Sequence, residues 1–259
     1  MRAIWSGSVS FGLVNIPVKL YSASETEAKI DFNLLHEKDM SPIRYAKFCK
    51  LEGVEVPNEE IVKGYEYSKG EYVIMTDDDF KQALPATTQA IEITDFTAEI
   101  EIDDIYFEKP YYLEPDKGAA KPYALLREAL RRSGKVGIAR FVLRNREHLA
   151  AIKPSGDVLI LDQLRYQSDI RKPDELNLPS SEQLQDRELD LALALVDKLT
   201  VPFNPEQYTD THTAELRRVI EEKAAGRVPV AREEAPQPTN VVDLMSVLKR
   251  SLEQEKRAA

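Results

Sequence analysis

The stretch KVGIARFVLRNREHLAAIKPSGDVLILDQL, residues 135–164, decides the fold class. Three apolar runs, Val136 to Arg144, His148 to Lys153 and Val158 to Leu164, are parted by Arg144-Asn145-Arg146 and Ser155-Gly156-Asp157. Both separators carry turn residues, Asn in one and Ser-Gly-Asp in the other. Short runs rich in Val, Ile and Phe between such punctuation read as antiparallel strands. On the first strand Arg140 and Arg144 lie an even number of residues apart and so point the same way.

The same reading extends toward the N-terminus. Residues Ile4 to Tyr21 read as strands: Val14, Ile16, Val18 and Leu20 alternate with Asn15, Pro17, Lys19 and Tyr21. Pro17 has no backbone N–H, which predicts an edge or a bulge there. Between Ser24 and Glu66, Ile30, Phe32 and Leu34 alternate, as do Ile43 and Tyr45, and Met40-Ser41-Pro42 reads as a turn. This predicts a long two-stranded ribbon with Lys38, Arg44, Lys47 and Lys50 near its tip. Glu71 to Met75 is a short strand, and Thr76 followed by Asp77, Asp78 and Asp79 reads as the capped start of a short helix ending near Pro85. Alternation from Ala90 to Ile105 and the run Tyr111 to Leu113 give further strands. Pro122 suits the first position of a helix whose stripe is Tyr123, Leu125, Leu126, Ala129 and Leu130, with Gly134 as its stop. Arg127 and Arg131 share a face of it. Up to about residue 170 the pattern is mainly β, a barrel or sandwich.

Beyond that point the character changes. Ser180 and Gln183 have the spacing of a capping box, and a Leu/Ala-rich helix follows to Thr200. Val201-Pro202-Phe203-Asn204-Pro205 breaks it. A second helix, with Leu216, Val219 and Ile220 inward, ends at Gly226. Residues 227–240 hold Pro229, Pro236 and Pro238 and read as an extended linker. In the last segment, 241–259, Val241, Leu244, Met245, Leu248 and Leu252 follow helical spacing. Such a face either folds back on its own core or docks in a partner's groove, and the linker favours docking.

Net charge is −10, which taken whole argues against nucleic-acid binding. The charge is uneven, however. Lys117, Lys121, Arg127, Arg131, Arg132, Lys135, Arg140, Arg144, Arg146 and Lys153 meet only Glu128 and Glu147 in their segment, a net of +8. Residues 77–108 carry ten acids and one base, Lys81. One positive surface on an acidic body fits this polarity, as does a merely solvated charged face. The single cysteine, Cys49, excludes an internal disulfide and suits a reducing cytoplasm. The first residues lack a secretion signal's apolar run, and no stretch has the roughly 18 apolar residues of a membrane helix.

The enzyme constellations are missing. No Gly-rich phosphate loop occurs, and Gly7-Ser8 lacks the rest of a nucleophile elbow. His36, His148 and His212 have no metal spacing, and helix capping accounts for Asp77-Asp78-Asp79 more simply than a metal does. No catalytic residue, metal or cofactor is expected. Two other readings stay open: an open-groove single-strand binder, with Tyr111 and Tyr112 near Lys109, and an abasic-site lyase or nuclease.

The opening residues, MRAIWSGSVSFGLVNIPVKLYS, 1–22, resemble the start of bacterial Ku proteins. The resemblance continues through Ile43-Arg44-Tyr45, Tyr65-Glu66-Tyr67, Tyr111-Tyr112-Leu113-Glu114-Pro115, Phe141-Val142-Leu143-Arg144-Asn145 and Phe203-Asn204-Pro205. It reaches Val241-Val242-Asp243-Leu244-Met245, which is similar to the family's ligase-interacting segment. It implies a β-barrel core over 1–170 with a long β-ribbon bridge over about 24–66, and a helical dimerisation arm over 171–226. It also implies that two chains close a ring threaded on duplex DNA ends and recruit a ligase of the ligase D type in non-homologous end joining, in the cytoplasm at the nucleoid. The phosphate-facing residues would be drawn from Arg44, Lys47, Lys50, Lys117, Lys121, Arg127, Arg131, Arg132, Lys135, Arg140, Arg144 and Arg146. The ligase-facing residues would be Val241, Val242, Leu244, Met245, Leu248 and Leu252. One departure stands out. Many relatives carry Cys-x-x-Cys in the bridge, whereas here Glu52 stands three positions after Cys49.

Overall fold

A computed structural model describes residues 1–25, 30–84, 89–179 and 184–227. The chain divides into two units, Met1–Pro173 and Asp174–Ala259.

The first unit is built on a closed seven-stranded barrel. Its strands are β1 (Trp5–Phe11), β2 (Val14–Ser22), β5 (Ala90–Ala98), β6 (Phe107–Pro115), β7 (Lys135–Leu143), β8 (Arg146–Ser155) and β9 (Val158–Leu164). Around the barrel they run β1-β2-β6-β9-β8-β7-β5, and a parallel β1–β5 pair closes the ring. The expected three-strand meander is β7-β8-β9. Its first turn, Arg144-Asn145, has both residues in the left-handed region, φ 51° and 62°. That is the type I′ geometry that matches strand twist in a two-residue hairpin.

Alternation fills the interior. Ile16, Val18 and Leu20 from β2, Ala139 and Phe141 from β7, and Leu159 and Leu161 from β9 are all buried in one cluster. The strand carrying Pro17 is not an edge: β2 pairs with β1 on one side and β6 on the other. Proline is tolerated because the β6 ladder begins only at Val18, while the Pro17 carbonyl accepts from Asp116 N at 2.9 Å.

Helix α2 (Ala120–Ser133) caps one end of the barrel with Tyr123, Leu126 and Leu130. The Tyr123 hydroxyl donates to Leu113 O and accepts from Leu159 N, both at 2.7 Å, so it ties β6 and β9 together where their ladder ends. Gly134 stops the helix at φ 62°, as expected. Two details differ from the sequence reading. Pro122 is the third helical residue, and Leu125 faces solvent. Alternation from Ala90 also ends early: Glu99–Glu101 and Asp104–Tyr106 are single 3-10 turns, and Ile100 is 94% exposed. Ile102, Tyr106 and Phe107 instead cover the outer face of β7–β9, against Val136, Ala151 and Leu164.

Over its described residues the insertion between β2 and β5 is not the one continuous ribbon expected over 24–66. It forms successive short hairpins. Ile43 N donates to Leu34 O across a turn at His36–Met40, and Cys49 N donates to Val54 O across a turn at Gly53. Among the described residues of the insertion, only β3 (Lys63–Ser68) and β4 (Glu71–Met75) form a regular two-stranded sheet. Pro42 sits within the first of these hairpins, opposite Leu35, and Pro57 supplies no ladder donor where the second one ends. Helix α1 (Asp77–Gln82) follows, with Thr76 and Asp79 closing the capping box.

In the second unit α3 (Asp186–Leu199) and α4 (Thr211–Ala224) bury no residue. The helix expected from the Ser180–Gln183 box begins at Asp186; residues 180–183 lie outside the described residues. Asp210 caps α4 through Thr213 N at 2.9 Å. Leu216 and Val219 are half-buried and Ile220 is exposed. Residues 228–259, with most of the linker and the whole tail segment, also lie outside the described residues.

Candidate nucleic-acid interface

The basic run of residues 117–153 does not fold into one patch. Strand β7 carries it from one end of the barrel to the other, roughly 26 Å at about 3.3 Å per residue. At the α2 end stand Lys117, Lys121, Arg127, Arg131, Arg132 and Lys135. Arg127 donates to Asp157 O at 2.6 Å and pairs with the Asp157 carboxylate at 3.4 Å. Arg131 donates to Gly156 O and pairs with Glu128 at 2.6 Å. These two guanidinium groups hold the β8–β9 turn against α2. Lys135 stands near Glu101, whose pKa is lowered by bonds from Thr97 and Ala98 and, to a lesser extent, by this lysine. Lys117, Lys121 and Arg132 are exposed and have no ion-pair partner among the described residues.

At the opposite end stand Lys109, Arg140, Arg144 and Arg146. Arg140 is exposed on the outward face of β7, whereas Arg144 lies beyond the strand in the β7–β8 turn at φ 51°, so the strand period expected to align the two does not reach it. The charges of Arg140 and Arg146 are both felt at Tyr166, where they partly offset the upward pKa shift caused by burial and Glu147. Among the described residues no carboxylate lies within ion-pair distance of these four cations. Ser22 and Gln89, where the insertion leaves and rejoins the barrel, lie at this same end. Lys109 was absent from the sequence-derived set. Its position two residues before buried Tyr111 was visible, but its neighbours on β9 and β8 were not.

On the insertion, Arg44 and Lys50 are exposed, and Lys47 donates to Asn58 Oδ1 at 2.8 Å. Lys153, counted in the basic run, is a clamp on the outer wall. It pairs with Glu99 at 2.8 Å and Asp162 at 2.9 Å, with its ammonium 4.8 Å from the Phe107 ring centre. Burial works against its charge, but the two carboxylates outweigh it and raise its pKa.

Other candidate chemistry is already committed locally. Asp79 bonds Thr76, Asp78 pairs with Lys81 at 2.9 Å, and Asp77 pairs with Lys63 at 3.3 Å. No group of three potential metal ligands occurs among the described residues. The Cys49 thiol lies in a tight turn whose Glu52 and Leu51 N–H groups donate to it and lower its pKa, with no second sulfur beside it. Tyr111 is buried and Tyr112 points to the other face of β6, so the two do not form a stacking platform. No described helix is long and apolar enough to cross a membrane. The tail residues Val241, Val242, Leu244, Met245, Leu248 and Leu252 lie outside the described residues.

The profile of the Ku70/Ku80 beta-barrel domain matches residues 10–191. Three relatives are each named non-homologous end joining protein Ku. That of Opitutus terrae is 45% identical, over 98% of this chain and 92% of its own length. That of Symbiobacterium thermophilum is 43% identical over 97% of this chain and 63% of its own length. That of Coxiella burnetii is 41% identical over 99% of this chain and 96% of its own length. With the barrel, its β2–β5 insertion and similarity of this extent, the chain belongs to the Ku family.

Proposed function

We propose that this protein binds ends of double-stranded DNA without reading sequence, as a homodimeric ring threaded on the duplex. In this reading it recruits a ligase of the ligase D type during non-homologous end joining. It has no catalytic role of its own and works in the cytoplasm at the nucleoid. The name shared by the relatives supports the process.

The observation that carries the ring is unburied apolar surface. From Phe32 to Phe80 the insertion exposes a long series of large apolar side chains, Tyr45 and Leu51 among them at 81% and 94%. In the second unit Leu189, Leu193, Val196 and Leu199 of α3 are exposed as well. Single chains seldom leave this much apolar area in water. A second copy related by a two-fold axis would offer the same apolar surfaces for mutual burial. The duplex would then meet the unpaired cations, which fix position through phosphates and carry no sequence information. The open-groove alternative loses its platform with the burial of Tyr111, and the three acids a nuclease would use are engaged by Thr76, Lys81 and Lys63.

A mobility-shift assay of linear duplex against a covalently closed circle of the same sequence, at two salt concentrations, tests this reading. Binding to the linear form alone, with trapping once bound DNA is circularised, is the expected result. Equal binding to both forms refutes the ring.

A further inference from the structure

At the barrel end opposite α2, Lys109, Arg144, Arg146 and His148 line a pocket of about 430 Å³ floored by Tyr111 and Gln163. Among the described residues no carboxylate lines it. An adjoining pocket shares Arg146, His148 and Gln163 but adds Glu108, Arg165 and Asp169, so its formal charges balance whereas those of the first do not. Local contacts shape the lining of the first pocket. The ammonium of Lys109 stands 5.6 Å from the centre of the Tyr111 ring. Arg144 projects from a turn whose backbone is set by two consecutive left-handed residues. His148 packs on Phe141 with ring centres 5.5 Å apart. Burial and the charge of Arg146 hold its pKa below the ordinary value, which leaves it a neutral hydrogen-bonding group near pH 7.

We propose that this pocket receives a phosphomonoester, the 5′-phosphate at a DNA strand end; the source of the phosphate rests on the end-binding reading above. Three cations without a counter-ion match a dianion better than the single charge of a backbone diester. The volume is at the small end of ligand pockets, which admits one terminal group and excludes a duplex. Charge-assisted bonds from guanidinium and ammonium to phosphate are the strong ones. A ring holding such a site would distinguish a ligatable end from one lacking its phosphate.

The test uses the full chain and one duplex sequence with either 5′-phosphate or 5′-hydroxyl ends. The expected preference for the phosphorylated duplex is about tenfold, or about 1.4 kcal/mol. Lys109→Gln combined with Arg146→Gln should bring the ratio toward one, whatever happens to absolute affinity. Lys117→Gln with Lys121→Gln, at the other end of the barrel, should leave the ratio unchanged. Separately, millimolar inorganic phosphate should broaden its own ³¹P resonance on adding wild-type protein, and not on adding the pocket variant. Equal wild-type affinity for both ends, with linear DNA still preferred over circles, overturns the pocket and spares end binding. A preference that survives in the pocket variant overturns its assignment to these residues. Loss of the distinction between linear and circular DNA overturns the reading beneath it.

Discussion

Arg127 Nη1 donates to the backbone carbonyl of Asp157, thirty residues later, at 2.6 Å. A cation that sequence alone assigns to DNA is thereby spent on fastening a hairpin turn to a helix. Its side chain is only 19% exposed. Arg127→Gln should therefore lower stability by about 0.5–1.5 kcal/mol, the net worth of an intramolecular hydrogen bond whose acceptor on exposed Asp157 can turn to water. DNA affinity at a temperature where the variant is folded should stay unchanged. Chemical denaturation alongside a binding titration checks both; weakened binding with full stability would return Arg127 to the interface.

Arg140 and Arg144 behave in the opposite way, because neither has a protein counter-ion among the described residues. Replacing both by Gln should flatten the dependence of log affinity on log salt by about 0.9 for each phosphate no longer neutralised. Thermal stability should barely move. An unchanged slope would remove these two residues from the DNA-facing wall.

Tyr123→Phe isolates a single oxygen. Removing it strands Leu113 O and Leu159 N at the capped end of the barrel, where the hydroxyl now satisfies both. The expected loss is about 1–3 kcal/mol. In urea it should appear as a lower midpoint with an unchanged slope, since the fold and the surface exposed on unfolding stay the same.

Lys153 joins Glu99 to Asp162, and the Asp162 side chain is only 11% exposed. Lys153→Met should destabilise by about 3 kcal/mol or somewhat more by leaving a mostly buried carboxylate uncompensated. The pH sign follows from the raised pKa. The lysine's contribution is complete below its unfolded value and is lost as pH rises through the higher folded value. Wild-type and variant stabilities should thus differ fully at neutral pH and converge only in strong alkali. A gap that closed already near pH 7 would contradict the raised value.

For the tail, Leu244→Asp or Leu248→Asp should abolish stimulation of ligation while end binding persists, as an apolar helix face in a partner's groove requires. A ligation assay beside the mobility shift separates the two. Loss of end binding in these variants would make the segment part of the fold.

How far sequence carried the description differs from element to element. The β7–β9 meander was legible because Arg144-Asn145 and Ser155–Asp157 are turn chemistry and the runs between them are apolar. The α1 cap was legible because Thr76 and Asp79 satisfy each other within one turn. The insertion was not. Its alternating residues resemble one ribbon, yet the turns at His36–Met40 and Gly53 divide the pairing into separate hairpins. Ile100 also alternates in sequence but projects into solvent, because the chain leaves the sheet after Ala98.

By itself the sequence determined the strand periods, the turns, the caps and the amount of charge, for these depend on residues within a few positions of one another. It also carried the family resemblance along nearly its whole length. The tertiary structure alone decided which cations remain free and which of them meet. A period of two tells which face a side chain takes, but not which strand lies beside it. Placing β9 between β6 and β8 is what brings Lys109 to the pocket of Arg144 and Arg146, and closing the β8–β9 turn under α2 is what withdraws Arg127 and Arg131. Neighbours across a barrel are set by the packing of the whole core, and no local stretch of chain contains that information.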